Sequence, residues 1–276
     1  MRDQLGVSPA HQRLTIDGVS IAFERSGHGQ PVVCLHAVAH GARDFEKFAE
    51  VVSDRFEVIR VDWPGHGRSD PDRVFTSAAR YADLLDQLLA QLDLHRVILV
   101  GCSIGGAAAL QYASHNPSRL AALVLCNPGG LVELTPSVRR AIGFMARFFG
   151  AGAKGARWFG FAYRLYYRLL VLPQRAAAAQ RERIIEAGYD MSPLLRDAWQ
   201  SFSMPDADLR ADAARITLPV WFAWAKKDKL IQLKACRPAI DAMPHATLTV
   251  FRAGHAAFLE QPKRFAKGFR KFAATL

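Results

Sequence analysis

Short apolar runs and stretches of helical spacing alternate along most of this chain. Leu14-Thr15-Ile16 and Val19-Ser20-Ile21-Ala22-Phe23-Glu24 flank Asp17-Gly18, the pattern of a two-residue β-hairpin. After a turn over 27–31, Pro31-Val32-Val33-Cys34-Leu35 reads as a buried strand ending at His36, residues 43–53 as a helix and 56–62 as the next strand. Tyr81, Leu84, Leu85, Leu88, Leu89 and Leu92 recur at helical spacing and predict an amphipathic helix. Strands are predicted at 97–100 and 120–126, with a helix-suited stretch over 106–113 between them. From 129 to about 213 the rhythm breaks into several helices rich in Ala, Arg and aromatics. It resumes with a strand at Val220-Trp221-Phe222-Ala223-Trp224, a helix near 233–243 and a last strand at 246–251. The final helix carries Phe265, Phe269 and Phe272 on one face and Arg264, Lys267, Arg270 and Lys271 elsewhere, which reads as core packing with a solvated face. This alternation predicts an α/β architecture.

At 276 residues, half of them hydrophobic, the chain suits one large domain or one domain carrying an insertion. The break in rhythm divides it into a core of 1–128 with 214–276 and a helical unit of 129–213. Cys34, Cys102, Cys126 and Cys236 form no C-x-x-C pair and three of them lie in apolar stretches, so reduced thiols in a cytoplasmic protein are expected. The first twelve residues lack the apolar segment of a secretory leader, and no apolar run is long enough to span a bilayer. The net charge of +11 is uneven: over 131–200, eleven Lys and Arg stand against five Asp and Glu. No nucleic-acid-binding motif accompanies that excess. A solvated basic face is its default reading, and an anionic membrane surface or an acidic ligand are the others.

The chemistry centres on Gly101-Cys102-Ser103-Ile104-Gly105, a G-x-S-x-G set between a buried-type strand and a helix-suited run. Strand, sharp turn and helix is the context of a nucleophile elbow, with Gly101 and Gly105 relieving crowding at the turn. A serine hydroxyl needs a base, and the base needs an acid to hold its tautomer. In such sites the order along the chain is Ser, acid, His. Asp228, just beyond the strand ending at Trp224, and His255, just beyond the last strand, fit that order and sit where parallel sheets place their ligands. Backbone N–H groups of Ile104 and of Val38 are the candidate oxyanion donors. The loop His36-Ala37-Val38-Ala39-His40-Gly41 follows the strand ending at Leu35; His36 braces it, and His40 and His66 either line the site or pack the loops.

Together, His36 at a strand end, Asp62-x-Pro64-Gly65-His66-Gly67-x-Ser69, the elbow, the Asp228 turn and Gly254-His255 resemble the α/β-hydrolase fold superfamily, in its capped esterase and C–C bond hydrolase-like branch. The resemblance runs from about residue 13 to the C-terminus. It implies a mostly parallel eight-stranded sheet flanked by helices, with a helical cap inserted after the sixth strand, where 129–213 falls. Two points depart from the commonest pattern. Ala37 replaces the glycine usual after the first histidine, and His36-Ala37-Val38-Ala39-His40-Gly41-Ala42 is also similar to the plant methylesterase and hydroxynitrile lyase branch. Ser103 stands where the dehalogenase and epoxide hydrolase branches have aspartate. Asn127 closes one alternative position for the triad acid.

Phe144, Met145, Phe148, Phe149, Trp158, Phe159, Phe161, Tyr163, Tyr166 and Tyr167 make the insert dense in aromatics, with Arg147, Lys154, Arg157, Arg164 and Arg168 interleaved. These residues read either as amphipathic helices with core and solvent faces, or as an apolar acyl pocket under a mobile lid at a membrane surface, with Gly150, Gly152 and Gly155 as joints. A cationic cap would also suit a carboxylated ring-cleavage product. The expected activity is a serine carboxylesterase acting through an acyl-enzyme, with catalytic Ser103, Asp228 and His255. The candidate substrate contacts are His36, His40, Phe144, Phe148 and Trp158. No metal or organic cofactor is required, and the partner is a small ester or related carbonyl compound. The rival readings are a C–C bond hydrolase of aromatic ring-cleavage products, a lyase, and a ligand-binding protein without turnover.

Overall fold

A computed structural model describes residues 11–276; the reading of the first twelve residues as free of a leader falls, for 1–10, outside the described residues. The strands are β1 (His11–Ile16), β2 (Val19–Ser26), β3 (Gln30–Leu35), β4 (Phe56–Val61), β5 (Val97–Cys102), β6 (Leu120–Cys126), β7 (Val220–Ala225) and β8 (Ala246–Phe251). They form one sheet in the order β1-β2-β4-β3-β5-β6-β7-β8. The β1–β2 and β2–β4 pairings are antiparallel and the others parallel. This is the mostly parallel eight-stranded sheet expected from the sequence. The hairpin turns at Asp17 and Gly18, both with positive φ, as a two-residue turn matched to strand twist requires.

The helices are α1 (Glu46–Val52), α2 (Ala78–Gln91), α3 (Ile104–His115), α4 (Pro136–Ala153), α5 (Phe159–Tyr166), α6 (Ala178–Glu186), α7 (Gly188–Ser201), α8 (Arg210–Ala214), α9 (Leu233–Asp241), α10 (Ala257–Glu260) and α11 (Pro262–Ala273). The central strands are apolar along their whole length because helices cover both faces of the sheet. One core cluster packs α2, α3 and α9 on one face; the other packs α1, α10 and α11 on the opposite face. In α11, Phe265 and Phe269 are buried, and Phe48 of α1 packs edge-on against both rings.

Between β6 and β7 lie α4 to α8, the helical insert over the carboxyl ends of the strands. Two of the glycines expected as joints, Gly150 and Gly152, lie inside α4. A Cβ on Gly152 would stand 2.4 Å from Ser192 Oγ and 2.6 Å from Phe159 Cζ, so this glycine permits close helix packing. Gly155, with φ 74°, turns the chain after α4. No helix among the described residues is long and apolar enough to cross a membrane.

Candidate active site

Ser103 occupies the turn between β5 and α3 at φ 54° and ψ −118°, a region that non-glycine residues rarely adopt. The turn is held by its neighbours: Ser103 N–H donates to the Cys126 carbonyl, and the Ser103 carbonyl accepts from Ala107 and Gly129. A Cβ on Gly101 would meet the Gly105 carbonyl oxygen at 2.6 Å, as the crowded elbow demands. Gly105 has a different reason. Its Cβ would lie 2.4 Å from the Leu35 carbonyl oxygen, so this glycine lets α3 cross the end of β3 at backbone contact.

Asp228 and His255 meet at the ends of β7 and β8. His255 Nδ1–H donates to Asp228 Oδ2 at 2.6 Å, with both side chains buried. Burial acts to lower the His255 pKa. The Asp228 charge and hydrogen bond outweigh it, with Glu260 and Asp44 adding to them, and the net shift is upward. Asp228 Oδ1 accepts from the N–H groups of Leu230 and Ile231 at 2.7 and 3.0 Å. The carboxylate is therefore fixed on both oxygens. No hydrogen bond joins Ser103 to His255 among the described residues, but both face one cavity. Unliganded sites of this kind often tighten only around substrate.

Two further residues brace this pair, and sequence reasoning missed the role of both. Asn127, at positive φ after β6, donates from Nδ2 to Asp228 Oδ2 at 2.7 Å and accepts from Ala225 N–H at 2.7 Å. It does more than vacate a position for an acid, because it holds Asp228 in place. Glu260 is buried, and its Oε1 accepts from the N–H groups of Gly254 and His255 at 2.7 and 3.3 Å, while Oε2 has no partner among the described residues. Burial pushes its carboxyl pKa up despite those bonds. A lone acid directly after the apolar run Ala256–Leu259 was the available signal for it.

The loop after β3 is cross-braced to the loop after β4. His36 Nε2 accepts from Trp63 N–H at 3.0 Å and its Nδ1 donates to the Ala37 carbonyl at 2.7 Å. His66 Nε2 accepts from Ala39 N–H at 2.8 Å and its Nδ1 donates to the Pro64 carbonyl. Burial pushes both imidazoles down to about 3, so they remain neutral struts. Ala39, at φ 65°, has its N–H committed to His66. Val38 N–H has no partner among the described residues, and Ile104 N–H lies in the first turn of α3, where the helix offers no acceptor.

Ser103, His255, Val38 and His40 line one cavity of about 520 Å³ between the strand ends and the insert. Its other walls are mainly apolar: Ile142 and Met145 of α4, Leu195 and Trp199 of α7, and Ile231 beside Asp228. His40 Nδ1 is bound to Asp44 Oδ2, and Asp44 Oδ1 accepts from Gln180 Nε2 of α6 at 2.7 Å, tying the insert to the loop. An acid four residues after a loop histidine, at the entry of a predicted helix, was the signal that sequence reasoning passed over.

Phe144 reaches the cavity, whereas three other expected substrate contacts do not. His36 is wholly buried with both ring nitrogens committed. Phe148 is packed among Phe149, Phe159 and Tyr166, and Trp158 lies on the outer surface of the insert. The cationic residues expected to greet a carboxylate, Arg147, Lys154, Arg157, Arg164 and Arg168, are all outside the cavity lining. Helical spacing marks which residues share a face, and only packing decides whether that face meets core, cavity or water.

An uncharacterised protein of Mycobacterium tuberculosis is 29% identical over 97% of this chain and 82% of its own length. A 2-hydroxy-6-oxononadienedioate/2-hydroxy-6-oxononatrienedioate hydrolase of Cupriavidus pinatubonensis is 26% identical over 86% of this chain and 84% of its own. Among solved structures, an esterase from Exiguobacterium antarcticum superposes with a TM-score of 0.82 at 21% identity, covering 95% of this chain and 99% of that one, a likeness of fold. The model of the alpha/beta hydrolase family matches residues 32–267, which take in every strand from β4 to β8, the elbow, the Asp228 turn and His255. With that match and the sheet order agreeing, the chain belongs to the alpha/beta hydrolase family.

Proposed function

We propose that this hydrolase cleaves carboxylic esters of apolar acids through an acyl-enzyme on Ser103. His255 takes the hydroxyl proton as Oγ attacks the ester carbonyl, and Asp228 holds the imidazole and stabilises its cation. The N–H groups of Val38 and Ile104 receive the oxyanion. His255 then protonates the departing alkoxide, and the same imidazole activates the water that releases the acid. The insert, α4 to α8, acts as the cap and supplies the acyl pocket.

The observation that carries this reading is the convergence of the strained Ser103 turn and the His255–Asp228 pair on one apolar cavity. A second reading, hydrolysis of a C–C bond in a dienedioate, is favoured by the named activity of the Cupriavidus relative. The lining argues against a dicarboxylate, because Lys229 is the single Lys or Arg among the lining residues. Turnover of p-nitrophenyl esters from acetate to long acyl chains tests the proposal. We expect hydrolysis with an optimum at medium chain length and a loss of at least about 10⁴-fold in kcat for Ser103→Ala. Cleavage of dienedioates without ester hydrolysis, or ester hydrolysis indifferent to Ser103, would overturn it.

A further inference from the structure

The two sides of α5 differ in an unusual way. Phe159, Tyr163 and Tyr166 face inward and are buried. On the solvent side, Phe161 and Leu165 of α5, Trp158 just before it and Leu169 in the helical turn that continues it recur at spacings of three and four, so they form one stripe. They are 54%, 70%, 40% and 63% exposed. Single exposed apolar residues are ordinary, but a contiguous stripe of four large ones marks an interaction surface. Arg157, Arg164 and Arg168 flank it, with Lys154 in the turn before, and all are exposed.

Along the segment that carries this stripe the charge has one sign. From 134 to 181 the chain contains nine Lys and Arg and no Asp or Glu. Arg168 reaches Glu182 at 2.9 Å, while Lys154, Arg157 and Arg164 have no acidic partner among the described residues. The usual solvent side of a packed helix is polar, with charges of both signs.

We propose that the face built by Trp158, Phe161, Leu165 and Leu169 with Arg157 and Arg164 docks on an anionic lipid bilayer. Aromatic and leucine side chains enter the boundary between headgroups and acyl chains, and guanidinium groups on long stems meet anionic headgroups. A second copy of this chain is disfavoured as the occupant, because its stripe would bring the same unpaired cations face to face. The stripe also leads to the cavity. Trp158 lies against Phe148, with ring centroids 5.8 Å apart, and Phe144, one turn before Phe148 on α4, is both 61% exposed and part of the cavity lining. Docking brings that rim to the lipid, so an apolar substrate dissolved in the bilayer enters without crossing water.

Co-sedimentation of the full chain with vesicles of phosphatidylcholine, alone or mixed equally with phosphatidylglycerol, tests this. We expect partition onto the mixed vesicles that is at least about tenfold stronger than onto phosphatidylcholine alone and that weakens as salt is raised. Phe161→Ser with Leu165→Ser, and separately Arg157→Glu with Arg164→Glu, each lower it by about tenfold or more with an unchanged thermal unfolding temperature. Ser103→Ala binds like the parent chain, which separates this test from that of the ester reading. Failure to bind the mixed vesicles, or equal binding by parent and variants, overturns the proposal. So does a solution dimer that the Phe161→Ser, Leu165→Ser pair dissociates, since the stripe is then covered by a second copy.

Discussion

His255 is charged more readily than a free imidazole although it is buried, because Asp228 sits 2.6 Å away. The sign of the pH dependence follows. In the proposed mechanism the imidazole must be neutral to accept the Ser103 proton, so kcat/KM is expected to rise with pH along a limb centred above the ordinary value of 6.5. Asp228→Asn removes the charge that raises it, so that limb moves to lower pH while kcat falls by about 10⁴-fold. A pH–rate profile of both proteins checks this, and a limb that stays in place in the variant would remove Asp228 from its role. The same pair contributes stability that is fully present below the unfolded imidazole pKa and is lost as pH rises through the raised folded value. The positions of Ser103, Asp228 and His255 at strand ends were legible from chain order. Their supports were not: Asn127 meets Asp228 across 101 residues, and nothing local to either position announces the contact.

The elbow unit depends on a crossing as well as a turn. Strand, turn and helix could be read from Val97–Val100, Ser103 and the alanine-rich run after it. The reason for Gly105 could not, because the atoms it approaches belong to β3, some seventy residues earlier. Gly105→Ala sets a methyl 2.4 Å and 2.7 Å from the Leu35 and His36 carbonyl oxygens, neither of which can rotate away. We expect a loss of about 3 kcal/mol in urea unfolding, together with a fall in kcat as α3 shifts and carries the Ile104 N–H with it. A variant that unfolds like the parent would show that the helix can slide off β3 at no cost.

On the scale of the whole molecule, the cavity exists only because the insert closes over the strand ends. Helices α4 and α7 contribute a large part of its apolar wall, and the basic excess of the insert lies outside it. Val138 of α4 is half-buried and lines the cavity. Val138→Phe fills part of the space and should move the ester optimum toward shorter acyl chains, raising KM for long ones by about tenfold and leaving acetate unchanged. An unaltered chain-length profile would place the acyl group elsewhere. The sequence by itself determined the succession of strands and helices, the Asp17-Gly18 hairpin and the Ser103, Asp228, His255 order, because periodicity and turn chemistry act over a few residues. Only the tertiary structure decided which aromatics of the insert meet core, cavity or solvent, that His66 joins His36 in bracing the loops while His40 lines the cavity, and that the arginines of the insert stay out of the cavity lining. A periodic pattern states that a helix has two faces, and what lies against each face depends on elements distant in the chain.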